Sequence, residues 1–208
     1  MKKNHFFSTL FLFVSALIGL SFTSTFETEI QIKNFSLKNV DNKVVSLNNF
    51  KDAKGFVIVF TCNKCPMAKL YTNRLNKIND KYKKQGVYLL AINSMDTLAY
   101  ADESFKLMQK KAKSDKMTVP YLQDKKQSVA KQFKATHTPQ AFIIWKNKNN
   151  KYTIKYQGAV DDNASEPEKA NNLLNNAIDE LVAGKSVTNP KTESFGCKIF
   201  YRGEKQIH

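Results

Sequence analysis

Cys62 and Cys65 stand three positions apart in the run Cys62-Asn63-Lys64-Cys65-Pro66. The run lies between an apolar segment, Gly55-Phe56-Val57-Ile58-Val59-Phe60, and a stretch with helical spacing. Two thiols so placed can close a small disulfide ring. At a helix start, unpaired N–H groups and the helix dipole favour one of them as a thiolate. The chemistry this suits is the exchange of electron pairs with other thiols and disulfides. A bridge at this spacing is a poor structural staple, because it closes a tiny loop and removes little chain entropy. Lys64 inside the ring and Lys69 one turn on add positive charge. Helix start and lysines together are expected to push Cys62 down and make it the attacking thiol, with Cys65, more buried, resolving. Pro66 suits a first helical turn, where its missing N–H costs no hydrogen bond.

Composition sets the context for that chemistry. The chain has 208 residues, 42% of them apolar and 25% charged, which suffices for one domain with a real core and argues against general disorder. Lys2 and Lys3, the apolar run from Phe6 to Leu20 and the small residues Ser21, Thr23, Ser24 and Thr25 read as a secretory signal peptide over residues 1–25. The apolar run falls short of the roughly 20 residues of a spanning helix. The expectation is therefore export, to the periplasm or another extracytoplasmic space if the source is bacterial, without a stable membrane anchor. The formal net charge is +15, but only Arg74 and Arg202 are arginine and the lysines are scattered. Nucleic-acid sites favour arginine for bidentate contacts, so this reads as a solvated lysine surface and no nucleic-acid partner is expected.

The elements that must hold the two thiols follow from periodicity. Residues 35–37 and 44–47 flank a polar turn and read as a hairpin. Residues 56–60 are apolar without alternation, the mark of a strand buried on both faces. Met67 to Tyr82 has helical spacing and Gly86 ends it. Val87 to Ile92 is a second buried strand, and Asp102 to Lys113 a second helix. Val119 to Leu122 is a short strand and Gln127 to Phe133 a short helix. Thr138-Pro139 precedes a strand at Ala141 to Trp145, which pairs with Tyr152 to Tyr156. A last helix is expected at Glu166 to Val182. The domain is assigned to residues 26–184, and residues 185–208 form a polar tail carrying Cys197. Strands that alternate with helices imply parallel pairing, and the closing hairpin adds antiparallel pairs.

This order, with CxxCP and a downstream Thr-Pro between helix and strand, resembles the thioredoxin-like redoxins, the superfamily with the alkyl-hydroperoxide-reductase and thiol-specific-antioxidant type domains. Gly158-Ala159-Val160-Asp161-Asp162-Asn163 and Gly196-Cys197-Lys198-Ile199 resemble an exported CxxC branch of it. The resemblance implies an α/β thioredoxin fold: an N-terminal β-hairpin, a central mixed sheet flanked by helices, and a polar C-terminal tail. It implies a thiol-disulfide oxidoreductase with Cys62 and Cys65 as catalytic pair. It also implies that Pro139 is cis and that Thr138 and Pro139 contact substrate. His137 is a candidate for tuning the thiols, or an exposed loop histidine. Cys197 is a candidate third redox thiol, or an unpaired cysteine. No cofactor is expected. The partners are protein or small-molecule thiols and disulfides, with a reducing or oxidising partner protein. Thioredoxins proper bury an acid in the strand before the dithiol; residues 56–60 contain none. Two other readings remain. A redoxin-type peroxidase needs an arginine near the thiol, and Arg74 is the candidate. A copper- or zinc-binding protein of the same fold would use Cys62, Cys65 and His137 as soft ligands.

Overall fold

The computed structural model describes residues 30–203, so the expected signal peptide lies outside the described residues. Ten strands and five α-helices follow in chain order. They are β1 (Gln31–Ile32), β2 (Ser36–Asn39), β3 (Val44–Ser46), β4 (Gly55–Phe60), α1 (Pro66–Leu70), α2 (Thr72–Tyr82), β5 (Val87–Asn93) and α3 (Phe105–Ser114). After these come β6 (Tyr121–Gln123), α4 (Ser128–Phe133), β7 (His137–Thr138), β8 (Gln140–Lys146), β9 (Tyr152–Gly158), α5 (Leu173–Val182) and β10 (Cys197–Lys198). Eight strands form one mixed sheet in the order β1-β9-β8-β4-β5-β6-β2-β3. β4 runs parallel to β5 and β5 to β6, while β8 and β9 close the other side antiparallel.

Every residue of β4 is buried, because both faces of the sheet are covered. Val57 and Val59 point into a core built with Leu75, Ile78, Met108, Leu174 and Ile178, so α2, α3 and α5 lie on that face. Phe56, Ile58 and Phe60 point the other way, toward Val129 and Phe133 of α4. There Phe60, Phe133 and Phe142 meet edge to face, with ring centroids 5.2–5.7 Å apart, a geometry that adds to plain burial. Gly86 follows α2 at φ 81, in the left-handed region, and lets the chain turn straight into β5.

Three differences from the expected elements have local causes. The helix expected over Met67–Tyr82 breaks at Tyr71, whose ring is buried and whose hydroxyl donates to Asp161 Oδ1 (2.8 Å). The helix expected from Glu166 begins only at Leu173. Ahead of it, Asn171 N–H donates to Asp162 Oδ1 (2.7 Å) and Glu166 N–H to Asn163 Oδ1 (2.9 Å), which hold a loop and a 3-10 turn instead. Residues 185–203 fold back onto the domain. Ile199 enters the second core, and β10 pairs antiparallel with β7 in a small second sheet. The pairing is only two residues long, too short to leave a periodic signal.

Candidate active site

β4 delivers the chain to the sulfurs at its carboxyl end. Past Phe60, Thr61 N–H still donates to Ile92 O (2.8 Å) of β5, and the chain then leaves the sheet as the loop Cys62-Asn63-Lys64. Cys65 is the N-cap of α1 and Pro66 its first residue. Cys62 and Cys65 are 1% and 4% exposed, and both are free thiols. Cys65 N–H donates to Cys62 Sγ (3.3 Å).

β7 supplies the opposite wall. The Thr138–Pro139 peptide is cis. Thr138 Oγ1 lies 3.2 Å from Cys62 Sγ, and Thr138 O accepts from the Cys65 thiol (3.3 Å). The same residue pairs with Cys197 across the β7–β10 ladder, and Thr138 Oγ1 donates to Cys197 O (3.4 Å). Cys197, half-buried, packs against Cys62, Cys65 and Ala68.

The floor is a carboxylate that sequence reasoning missed. After β5 a 3-10 turn, Ala101–Glu103, brings Glu103 beneath the loop, 3% exposed. Glu103 accepts Asn63 N–H (2.7 Å), Lys64 N–H (3.0 Å) and Asn93 Nδ2 (2.8 Å). Three donors are the compensation a buried carboxylate requires. Asn63 is fixed further, donating to Asp102 O (2.9 Å) and accepting from Tyr121 OH (2.9 Å). Burial, with the charges of Glu103 and Cys62, keeps that phenol protonated well above its ordinary range. The helix expected over Asp102–Lys113 begins only at Phe105, and the 3-10 turn ahead of it is what carries Glu103 under the loop. The acid absent from residues 56–60 comes instead from the next crossover.

The electrostatics differ from the expectation for Cys62. Its thiol is pushed up, first by its hydrogen bond with Cys65 and then by burial, against the pull of the Thr138 hydroxyl, with a lesser push from Glu103. Cys65 is held down to about 4, first by that same bond with Cys62, then by Cys197 and the Ala68 N–H, against burial. As the pair gives up its first proton, the charge therefore settles on Cys65. The reason is geometric. Asn63 and Lys64 N–H are committed to Glu103, which leaves Cys65 N–H on Cys62 Sγ, while the Ala68 N–H of α1 acts on Cys65.

The other candidates lie apart from the sulfurs. Lys64 Nζ faces Asp102 (3.5 Å) in solvent. His137 Nδ1 hydrogen-bonds with Thr136 Oγ1 (2.9 Å). Arg74 is tied to Asp161 (2.6 Å) and Asn163 O (2.8 Å), and also to Ala164 O, with little exposure. Among the described residues, no group of three or more His, Cys, Asp or Glu is arranged to hold a metal ion, and no helix is long and apolar enough to cross a membrane.

The sheet order, the crossovers and a dithiol loop facing a cis X–Pro peptide define a thioredoxin-like α/β fold. The AhpC/TSA family model matches residues 29–153, more than half of the chain, and the chain belongs to that family of thioredoxin-like redoxins. None of the curated proteins matches it. Two solved structures are similar over most of their length. An uncharacterized conserved protein of Geobacillus kaustophilus has 32% identity and a TM-score of 0.75, over 85% of this chain and 93% of that one. A hypothetical protein of Sinorhizobium meliloti 1021 has 29% identity and a TM-score of 0.75, over 85% and 95%.

Proposed function

We propose that this protein is an exported thiol-disulfide oxidoreductase whose redox centre is the Cys62–Cys65 pair. The observation behind this reading is the enclosure of both sulfurs against Thr138, whose hydroxyl lies beside Cys62 Sγ and whose carbonyl accepts from the Cys65 thiol. A thiol of low pKa leaves readily from a disulfide, and stabilising it in the reduced form makes the disulfide a better oxidant. A substrate thiolate attacks Cys62 of the oxidised pair, Cys65 leaves as thiolate, and a second substrate thiol releases Cys62. In the reverse direction Cys62 passes its proton to the Cys65 thiolate and attacks the substrate disulfide, and Cys65 then resolves the mixed disulfide, its proton leaving with the second substrate sulfur. Thr138 and Pro139 border the path of the incoming chain. The substrates are protein or small-molecule thiols and disulfides, and a partner protein restores the pair.

Peroxide reduction is the less favoured chemistry. Its polarising arginine would be Arg74, which is bound to Asp161 and over the Tyr71 ring. The test is a dithiol exchange assay, with reduction of insulin disulfides and oxidation of a reduced model peptide followed in parallel. Cys65→Ser and the Cys62→Ser,Cys197→Ser double variant should each lower the rate at least about 100-fold. Unchanged rates in either variant contradict the reading, and rapid peroxide consumption lost in Cys62→Ser would move it to the peroxidase.

A further inference from the structure

Cys197 is held beside the pair by the fold. β10 is in register with β7, with Cys197 opposite Thr138. Beyond it Ile199 N–H donates to Thr136 O (2.8 Å), and Tyr201 OH donates to Ala135 O (2.6 Å). Ahead of it Gly196 sits at φ 136, and a Cβ there would lie 2.3 Å from Thr138 O. The strand is thus pressed against the peptide that faces the dithiol. The Cys197 side chain packs against the cluster of Cys62, Cys65 and Ala68. Thr138 touches all three cysteines, through its hydroxyl to Cys62 Sγ and to Cys197 O, and through its carbonyl to the Cys65 thiol.

We propose that Cys197 is a third redox thiol of this site, and that the disulfide migrates between Cys62–Cys65 and Cys65–Cys197. The proposal rests on the reading of Cys62–Cys65 as the redox pair. In the step, the Cys197 sulfur attacks the Cys65 sulfur of the oxidised pair. The Cys65–Cys197 bond forms as the Cys62–Cys65 bond breaks, and the proton that leaves Cys197 ends on the Cys62 sulfur. One disulfide and one thiol are present before and after, so no outside oxidant or reductant enters.

The site's chemistry agrees with that direction. In the reduced protein Cys197 is pushed up to about 12, by burial, by its hydrogen bond with Cys65 and by the charges of Cys65 and Glu103. Oxidation of the pair removes both Cys65 contributions and so moves Cys197 down toward its ordinary value, with burial and Glu103 still opposing its charge. Cys62 regains a proton readily, because its surroundings disfavour its charge. The step also answers a matter of access. Cys62 and Cys65 are buried while Cys197 is half-buried, so migration carries the oxidising equivalent outward. A partner thiolate then attacks Cys197, and Cys65 leaves as thiolate.

Linkage mapping on the full chain tests this. Wild-type protein is equilibrated in graded glutathione redox buffers and quenched with acid. It is then unfolded, its free thiols are alkylated, and its peptides are read by mass spectrometry. Two one-disulfide isomers are expected, one with Cys197 alkylated and one with Cys62 alkylated. Cys62→Ser should raise the Cys65–Cys197 fraction at least tenfold, while Cys197→Ser retains Cys62–Cys65. Wild-type protein in which Cys62 is never the alkylated thiol, at any buffer ratio, overturns the proposal whatever the variants show. Loss of the Cys62–Cys65 disulfide in both wild type and Cys197→Ser overturns the reading of the pair itself, and this proposal with it.

Discussion

At the scale of single residues, the site turns on where one negative charge is allowed to rest. The two cysteines stood out by their spacing together with the downstream Thr-Pro, and the structure encloses both sulfurs against Thr138. Which sulfur holds the charge was not legible, because it is set first by the bond between the two sulfurs and by burial, with a smaller push on Cys62 from Glu103, a residue distant in sequence and carried in by a turn with no periodic mark. The consequence is measurable as a pH dependence. Cys65 is depressed from 9.0 to about 4, and Cys62 is raised. Between those limits the folded dithiol carries one proton where an unfolded dithiol below pH 9 carries two. The potential should therefore fall by about 30 mV per pH unit from pH 5 to 8, against about 60 mV for an unstructured dithiol peptide. The linkage has a definite sign. A depressed folded pKa stabilises the reduced fold above the unfolded pKa of 9.0, and that stability is lost as pH falls through about 4. Glu103→Ala should cost about 2–4 kcal/mol in urea unfolding, since two buried donors and one part-buried donor lose their acceptor at about 1–3 kcal/mol each, not fully additive. A slope near 60 mV in the folded protein, or a Glu103→Ala variant as stable as wild type, would contradict this account.

At the scale of elements, what periodicity could show, it showed. β4 and β5 are buried on both faces and read as continuous apolar runs. Helix spacing located α2 and α3, though not the break at Tyr71, which a tertiary hydrogen bond to Asp161 imposes. The two-residue strands β7 and β10 left no trace, and with them the placement of Cys197 stayed open. Their junction depends on Gly196, whose positive φ and contact with Thr138 O exclude a side chain. Gly196→Ala should destabilise the fold by about 1–3 kcal/mol and loosen β10 from β7. The loosened strand should raise the alkylation rate of Cys62 in the folded, reduced protein several-fold. An unchanged rate and an unchanged denaturation midpoint would mean that β10 does not cover the pair.

At the scale of the whole molecule, two cores back one sheet and leave the chemistry at the carboxyl ends of its central strands. β4 and β8 are hydrogen-bonded neighbours, so the loop after one and the Thr138–Pro139 bond before the other meet over the same edge. That meeting was expected from the resemblance to the thioredoxin-like redoxins; strand order alone leaves open which ends come together until the pairing is known. The lysine-rich surface plays no visible part in the site, where Lys64 turns to Asp102. All of the chemistry proposed here depends on Cys62 and Cys65 passing reversibly between dithiol and disulfide. A redox titration in glutathione buffers, quenched with acid and read by thiol mass tagging, measures that directly. The account predicts one two-electron transition within the range of about −270 to −120 mV spanned by dithiols of this fold, absent in Cys62→Ser,Cys65→Ser double-variant protein. Wild-type protein in which both sulfurs stay alkylatable across the whole range would contradict it.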